Sequence, residues 1–296
     1  IMKILIIGGS GMIGSYLIKS CKNEGYDTEF TFYKNKLQNE QGYFLDITKR
    51  KDTIELIKKI NPQIVFLTSA ITNMDLCERN LNLAKTTNVI GTQNVVDGCK
   101  IVNSKLVYFS TSAIFDGTKS EYSEVDTPSP NNTYGLTKLE GEKIVQKSGL
   151  EFLIIRTDQP YGWTKQSQRT NSVVRVIERL KSDTFFSEIT DWYNTPTYIP
   201  DLTSGIMSLI KNNLVGIFHI TGSDFLNRYD SAVLIAKVFK LENKLLKQIN
   251  SSELKLPAKR SNVNLSNKKL FRETGIRMLG FKDGLTKMLE DKKIWE

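Results

Sequence analysis

Short apolar runs alternate with amphipathic stretches along the first half of the chain. Lys3–Gly8 is β-like and ends on glycine, and Met12–Asn23 then spaces Ile13, Leu17, Ile18 and Cys21 along one helical face. Thr28–Tyr33 reads as a second strand and Gly42–Leu45 as a short third one. Over Asp52–Ile60, Ile54, Ile57 and Ile60 share a helical face that Asn61-Pro62 ends. Gln63–Thr68 is the next strand, and a long helix is predicted from about Glu78 to Val102. Leu106–Ser110 is a strand. A turn-rich stretch with Pro128 and Pro130 then leads to a helix over 133–148, with Gly149 as its predicted C-cap. Glu151–Arg156 is the strand after that. Such alternation predicts an α/β fold built on a doubly wound parallel sheet.

Beyond Pro160 the pattern loosens. Helices are expected over Ser172–Leu180, Leu202–Lys211, Ser231–Phe239 and Lys268–Thr274, with a buried strand over Gly216–Ile220; Lys244–Leu256 is mixed. No repeat or low-complexity linker separates the halves, so the second should pack closely on the first. The expected division is a sheet domain over 1–160, to which the 216–220 strand returns, and a smaller region over 161–296.

Of 296 residues, 40% are hydrophobic, enough for a sizeable core, and no apolar run approaches the roughly 18 residues of a membrane span. The first strand runs straight into a glycine loop, which argues against a signal peptide. Forty-one basic against thirty-two acidic residues give a net charge of +9. The lysines are scattered rather than gathered into a stripe, so a solvated surface is expected and no nucleic-acid partner, although the charge suits an anionic small ligand. Cys21, Cys77 and Cys99 form no CxxC pair and read as buried thiols of a cytoplasmic protein. His219 is the only histidine and falls in a strand pattern, a core position. Histidine-based metal sites and a Ser-His-Asp triad therefore have almost no material, and no metal is expected.

The strongest local signal is Gly8-Gly9-Ser10-Gly11-Met12-Ile13-Gly14, a G-x-x-G-x-x-G loop between the first strand and the first helix. Glycines there give a tight turn and let the backbone approach a pyrophosphate, which the helix N-terminus would hold through free N–H groups. The loop makes the sheet domain a Rossmann-type NAD(P)-binding candidate, with Gly8, Ser10, Gly11, Met12, Ile13 and Gly14 at the cofactor. An acid usually closes the second strand of an NAD enzyme; here Tyr33-Lys34-Asn35-Lys36 stands instead. Lys34 and Lys36 suit a 2′-phosphate beside Tyr33, which favours NADPH over NADH; their plainer reading is surface lysine. After the third strand, Asp46 is placed for the adenine amine with Ile47 beside it, or caps the following helix.

Tyr134 and Lys138 form a Y-x-x-x-K pair on one face of a helix, and Ser110-Thr111-Ser112 closes a strand upstream. A phenol beside a cation can exchange a proton with a carbonyl or alcohol oxygen, and a nearby hydroxyl can hold that oxygen. With these motifs the sequence resembles the extended short-chain dehydrogenase/reductase family, and within it the dTDP-4-dehydrorhamnose reductase group. The resemblance runs through the glycine loop, Leu45-Asp46-Ile47-Thr48, Asn88, Ser110–Gly117, Tyr134–Glu142 and Asn194–Tyr198. It implies that Thr111 polarises the substrate carbonyl and Tyr134 donates the proton. Lys138 would hold the nicotinamide ribose and lower the tyrosine's pKa, with Ser69 and Ala70 lining the cofactor. Many such reductases carry an acid after the catalytic hydroxyl, where this chain has Ser112. The Asp158-Gln159 pair also departs from the expected pattern.

Substrate contacts are expected from Thr72 and Ser112, from Trp163, Gln166, Arg169 and Asn171, and from Trp192. Aromatic faces suit sugar rings or a pyrimidine base and Arg169 a diphosphate; buried loop anchors are the alternative for Trp163 and Trp192. Asp201 should cap the helix from Leu202. The expected activity is NADPH-dependent reduction of a nucleotide-linked 4-keto-6-deoxy sugar; the resemblance implies dTDP-4-dehydrorhamnose giving dTDP-L-rhamnose. A 4,6-dehydratase would carry Asp-Glu where Ser112-Ala113 stands, and an epimerase would favour an acidic ribose reader. A third rival is a non-catalytic subunit like the regulatory one of methionine adenosyltransferase, which resembles the same group. Folds of this kind often pair as homodimers through two long helices; no membrane partner is expected.

Overall fold

Seven parallel strands form one sheet at the centre of the computed structural model, which describes residues 1–37, 41–182 and 184–292. They are β1 (Lys3–Ile7), β2 (Asp27–Phe32), β3 (Tyr43–Phe44), β4 (Ile64–Leu67), β5 (Lys105–Thr111), β6 (Phe152–Thr157) and the strand Gly216–His219. From one edge the order is Gly216–His219, β6, β5, β4, β1, β2, β3. The chain therefore reverses direction across the sheet between β1 and β4, where the carboxyl ends open a crevice. Ile4–Ile7 and Ile64–Leu67 are buried throughout because helices cover both faces. Ile4 and Ile6 pack towards Leu17, Ile18, Leu202 and Ile206, and Leu5 and Ile7 towards Ile57, Val95 and Val96.

The helices of the first half are α1 (Met12–Asn23), α2 (Arg50–Ile60), α3 (Met74–Arg79), α4 (Leu81–Lys85), α5 (Gly91–Val102) and α6 (Thr133–Gln146). The long helix expected over 78–102 is thus broken. Asn80 leaves helical geometry (φ −138°) and its side chain accepts from the Leu83 N–H, capping α4. Thr86–Ile90 then forms a π turn that carries Asn88. Helix α6 ends at Gln146 with Lys147 at the cap, and Gly149 (φ +78°) reverses the chain beyond it.

In the second half are α7 (Ser172–Leu180), α8 (Ile199–Lys211), α9 (Arg228–Phe239), α10 (Lys268–Thr274) and α11 (Phe281–Glu290). A separate core of Val173, Val176, Ala232, Ile235, Phe281, Leu285 and Met288 gathers α7, α9 and α11 around Tyr161 and Tyr198. Within 244–256, Leu246–Ile249 pairs with Phe186–Ile189 and Ser251–Glu253 is a 3₁₀ turn. Helix α8 starts at Ile199 with Pro200 in its first turn, so Asp201 lies inside it and accepts from the Leu279 N–H instead of capping. His219 is fully buried beside Arg156, its Nε2 3.4 Å from Nη1. Arg156 in turn donates to both carboxylate oxygens of Glu142 (3.0 and 2.8 Å), so a buried ion pair fixes α6 against β6.

Candidate functional site

Helix α1 starts directly from the glycine loop. No side chain caps it at Gly11, so the first-turn N–H groups are left to an incoming anion. A Cβ on Gly14 would sit 2.3 Å from the Gly8 carbonyl oxygen, and one on Gly8 (φ +89°) 2.5 Å from Ser69 Oγ. The turn can therefore be made only without side chains, and it brings the start of α1 against the end of β4, where Ser69 and Ala70 follow. This cradle fits a dinucleotide pyrophosphate. Thr31, buried at the end of β2, accepts from the Gly8 N–H through Oγ1. Tyr33, Lys34 and Lys36 lie exposed just beyond β2, Lys34 Nζ 6.0 Å from the Tyr33 ring centre. Asp46 accepts from both the N–H and hydroxyl of Thr48, and the Ile47 carbonyl accepts from Asn94.

The loop after β4 is pinned from the π turn. Asn88, buried, accepts from the Ile71 N–H and donates to the Ile71 carbonyl and to the Thr137 hydroxyl, which ties that loop to α6. Helix α6 begins at Asn132, whose side chain accepts from the Gly135 N–H. Gly135 lies so close to the turn after β5 that a Cβ would meet the Ala113 carbonyl oxygen at 2.0 Å. That contact sets Tyr134 on the side of Thr111, whose hydroxyl acts on the phenol. Burial pushes the Tyr134 phenol up to about 12, with the Thr111 hydroxyl acting against it. One turn on, burial brings the Lys138 amine down to about 7 despite the pull of Glu142. The amine rests 4.0 Å from the centre of the Tyr108 ring and has no ion pair among the described residues. Gly141 makes room for that ring, its Cβ position being 2.1 Å from the Tyr108 oxygen. In the chain by itself the phenol thus stands above its ordinary value because burial dominates.

Several predicted substrate residues hold the fold. Trp163 donates from Nε1 to the Met288 carbonyl at 2.6 Å and packs edge-on against Phe239, anchoring α11. Asn171 caps α7 by accepting from Val173 and Val174 N–H and donates to the Gly162 carbonyl. Between them the chain crosses the glycine loop, with Gln166 exposed. Buried Gln168 donates to the carbonyls of Ser10 and Gly11 and to Ser15 Oγ (3.1, 3.2 and 3.0 Å), while exposed Arg169 donates to exposed Thr72 at 3.1 Å. Trp192 lies between elements of the second half, its ring centre 5.5 Å from the guanidinium of Arg228 and 5.6 Å from that of Arg260. Arg260 is held by both carboxylate oxygens of Asp75 on α3.

Three residues at the site carry no role in the sequence reading. Asp158, buried, accepts from Ser112 Oγ at 2.8 Å and from the Thr195 N–H at 2.9 Å. Gln159 adopts φ +38°, and its Oε1 accepts from Arg228 at 3.1 Å. Gln168 is the third. The Asp158-Gln159 departure was visible in sequence; nothing there distinguishes Gln168 or Arg228. Among the described residues no group of His, Cys, Asp and Glu side chains is arranged to hold a metal, and no helix is long and apolar enough to cross a membrane.

A glycine cradle at the crevice, with a hydroxyl–phenol pair and a buried amine beside it, is an arrangement for dinucleotide-dependent chemistry on a carbonyl or alcohol. Comparison with known proteins points the same way. A dTDP-4-dehydrorhamnose reductase of Bacillus anthracis, solved in complex with NADP, superposes with a TM-score of 0.89 at 27% identity, over 98% of this chain and 99% of its own. The dTDP-4-dehydrorhamnose reductase of Aggregatibacter actinomycetemcomitans is 28% identical over 79% of this chain and 78% of its own. The mouse methionine adenosyltransferase 2 subunit beta is 27% identical over 98% of this chain and 89% of its own. The model of the RmlD substrate binding domain family matches residues 2–294, nearly the whole length, and the chain belongs to that family.

Proposed function

We propose that this protein is an NADPH-dependent reductase of a nucleotide-linked 4-keto-6-deoxy sugar, dTDP-4-dehydrorhamnose being the foremost candidate and dTDP-L-rhamnose its product. The observation that carries the reading is the Tyr134 phenol placed beside the Thr111 hydroxyl on the same crevice as the uncapped start of α1. Gly11, Met12, Ile13 and Gly14 would hold the pyrophosphate, Ser69 and Ala70 would line the dinucleotide, and Lys34 and Lys36 would meet a 2′-phosphate, with NADH the weaker alternative. When bound, the dinucleotide supplies hydride to the keto carbon. Thr111 and Tyr134 would share the ketone oxygen. Tyr134, whose proton is held firmly in this buried setting, would pass it to the oxyanion as charge develops there. Lys138 would turn from the Tyr108 ring to the ribose hydroxyls, and its charge would stabilise the phenolate left behind.

The test is oxidation of NADPH in the presence of a panel of nucleotide-linked 4-keto-6-deoxy sugars, with Tyr134→Phe alongside. Turnover of one sugar, lost in the variant, supports the reading; dinucleotide binding with no turnover of any of them overturns it. The similarity to the methionine adenosyltransferase beta subunit over almost the entire chain favours a second reading, a non-catalytic regulatory partner. That reading requires a stoichiometric complex with a methionine adenosyltransferase catalytic subunit, measured by size-exclusion chromatography with light scattering.

A further inference from the structure

We propose that Gln168 is a positioning residue for the dinucleotide. From segment 162–171 it holds two carbonyls of the glycine loop against the flank of α1, which keeps the N–H groups at the helix start aimed at a pyrophosphate. The inference rests on the reading that this crevice takes NADPH. Nε2 of Gln168 lies 3.1 Å from the Ser10 carbonyl, 3.2 Å from the Gly11 carbonyl and 3.0 Å from Ser15 Oγ. The amide is buried, and its two hydrogens are shared among these three acceptors. Its Oε1 accepts from the Lys165 N–H at 3.0 Å, and Ser15 Oγ donates its own hydrogen to the Met12 carbonyl at 2.9 Å. Both contacts fix the amide in one orientation. Reversed, its oxygen would face two carbonyls.

A trans peptide is planar, and its C=O and N–H point in opposite directions. The Gly11 carbonyl accepts from the Ser15 N–H at 2.9 Å as well as from Gln168, so it points along α1. The Met12 N–H of the same peptide therefore points out of the helix start. The Ser10–Gly11 peptide is held on both sides, its N–H on the Gly8 carbonyl at 3.0 Å and its C=O on Gln168. Among the described residues the Ser10 carbonyl has no other donor. Without Gln168 that oxygen is free to turn towards an incoming anion, and its partial negative charge would oppose binding. The segment that carries Gln168 is itself tied to α1 on either side. Tyr16 donates to the Trp163 carbonyl at 3.0 Å, and Asn171 Nδ2 lies 3.4 Å from Met12 Sδ. Between these ties Asn35, which follows β2, donates to the Ser167 carbonyl, and Arg169 donates to Thr72, which follows β4. One short segment thus touches the loops after β1, β2 and β4, and Gln168 is its buried contact with the first.

The experiment compares the full wild-type chain with Gln168→Met, which keeps the length of the side chain and removes its donors, and with Gln168→Ala. Two ligands are titrated by calorimetry: NADPH, and adenosine 2′-monophosphate, which carries the adenine and the 2′-phosphate but no pyrophosphate. Both variants should weaken NADPH about tenfold, the scale of one hydrogen bond to a charged group, and leave adenosine 2′-monophosphate within about twofold of wild type. Agreement between methionine and alanine separates the lost donors from a change in packing, and either variant decides the matter if the other does not fold. Unchanged NADPH affinity overturns the proposal. An equal loss for both ligands also overturns it, since the segment would then merely support the fold. A wild type that binds neither ligand overturns the NADPH reading and this inference with it. Binding requires no turnover, so NADPH binding without ketone reduction would count against the proposed function while the role of Gln168 is still decided.

Discussion

Tyr134 and Lys138 are both driven towards their uncharged forms by burial, the phenol up to about 12 and the amine down to about 7. The amine is protonated below its value and neutral above it. Binding that depends on the ammonium should therefore tighten as pH falls through about 7 and weaken as it rises. Dinucleotide titrations by calorimetry between pH 6 and 8 should show this trend in the wild type and a flatter profile in Lys138→Met. Tyr134→Phe leaves the packing and removes only the proton, so kcat should drop by roughly 10²–10⁴ while dinucleotide affinity is retained. Their spacing puts both on one helical face, and it is the glycine loop and the Ser110-Thr111-Ser112 hydroxyls beside that spacing that give the pair a chemical reading. Ser112 and Asp158 were legible only as two separate departures. That they form one hydrogen bond depends on the register of β5 against β6, which local sequence does not encode. For Trp163 the sequence leaves a sugar contact and a loop anchor both open, and in the fold its indole N–H, like the Asn171 amide, satisfies a backbone carbonyl.

Helix α6 carries both Tyr134 and Lys138, and its glycines let it lie close to its neighbours. Gly135 lies against the turn after β5, and a Cβ there would meet a backbone oxygen at 2.0 Å, a contact that no side-chain rotation relieves. Gly135→Ala should push the start of α6 away from Ala113 and separate Tyr134 from Thr111. The expected result is a loss of kcat approaching that of Tyr134→Phe, with dinucleotide affinity within about twofold of wild type, since the cradle at α1 is untouched. Steady-state kinetics beside calorimetric binding would show it, and an unchanged kcat would mean that α6 docks by other contacts. At this scale the sequence was informative where periodicity was clean, as in α7 and α10, whose bounds agree with the expected ones. It misled over 78–102, where apolar periodicity carries on through Asn80 although that side chain caps a new helix. Helix α11 went unread even though Phe281, Leu285 and Met288 share a face. Gly284 lowers the helical signal there while making room for the Tyr161 hydroxyl.

Across the molecule, the sheet is read readily because β1, β4 and β6 are buried on both faces and so appear as unbroken apolar runs. How the second half closes over the site is not, because its ties are single polar contacts such as Gln168 on the glycine loop and Arg260 on Asp75. The buried group Glu142–Arg156–His219 joins α6, β6 and the edge strand, and it makes stability depend on pH. Burial, and then the charge of Arg156, bring the His219 imidazole down to about 3 in the folded protein, against roughly 6.5 in an unfolded chain. Above pH 6.5 neither state binds the proton and this residue adds no slope. As pH falls below that, the unfolded chain takes the proton while the folded protein refuses it, so stability is lost progressively until about pH 3. At pH 5 the loss from this one residue is about 2 kcal/mol. Asp158 and Asp201, raised by burial, take up protons in the folded state and act in the opposite sense, so the contribution is best isolated as a difference. Urea unfolding at pH 7 and pH 5 should show the wild type losing about 2 kcal/mol more than His219→Gln over that interval. Equal losses in the two proteins would mean that the imidazole is not held neutral against Arg156, and that the buried ion pair alone sets how α6 is seated.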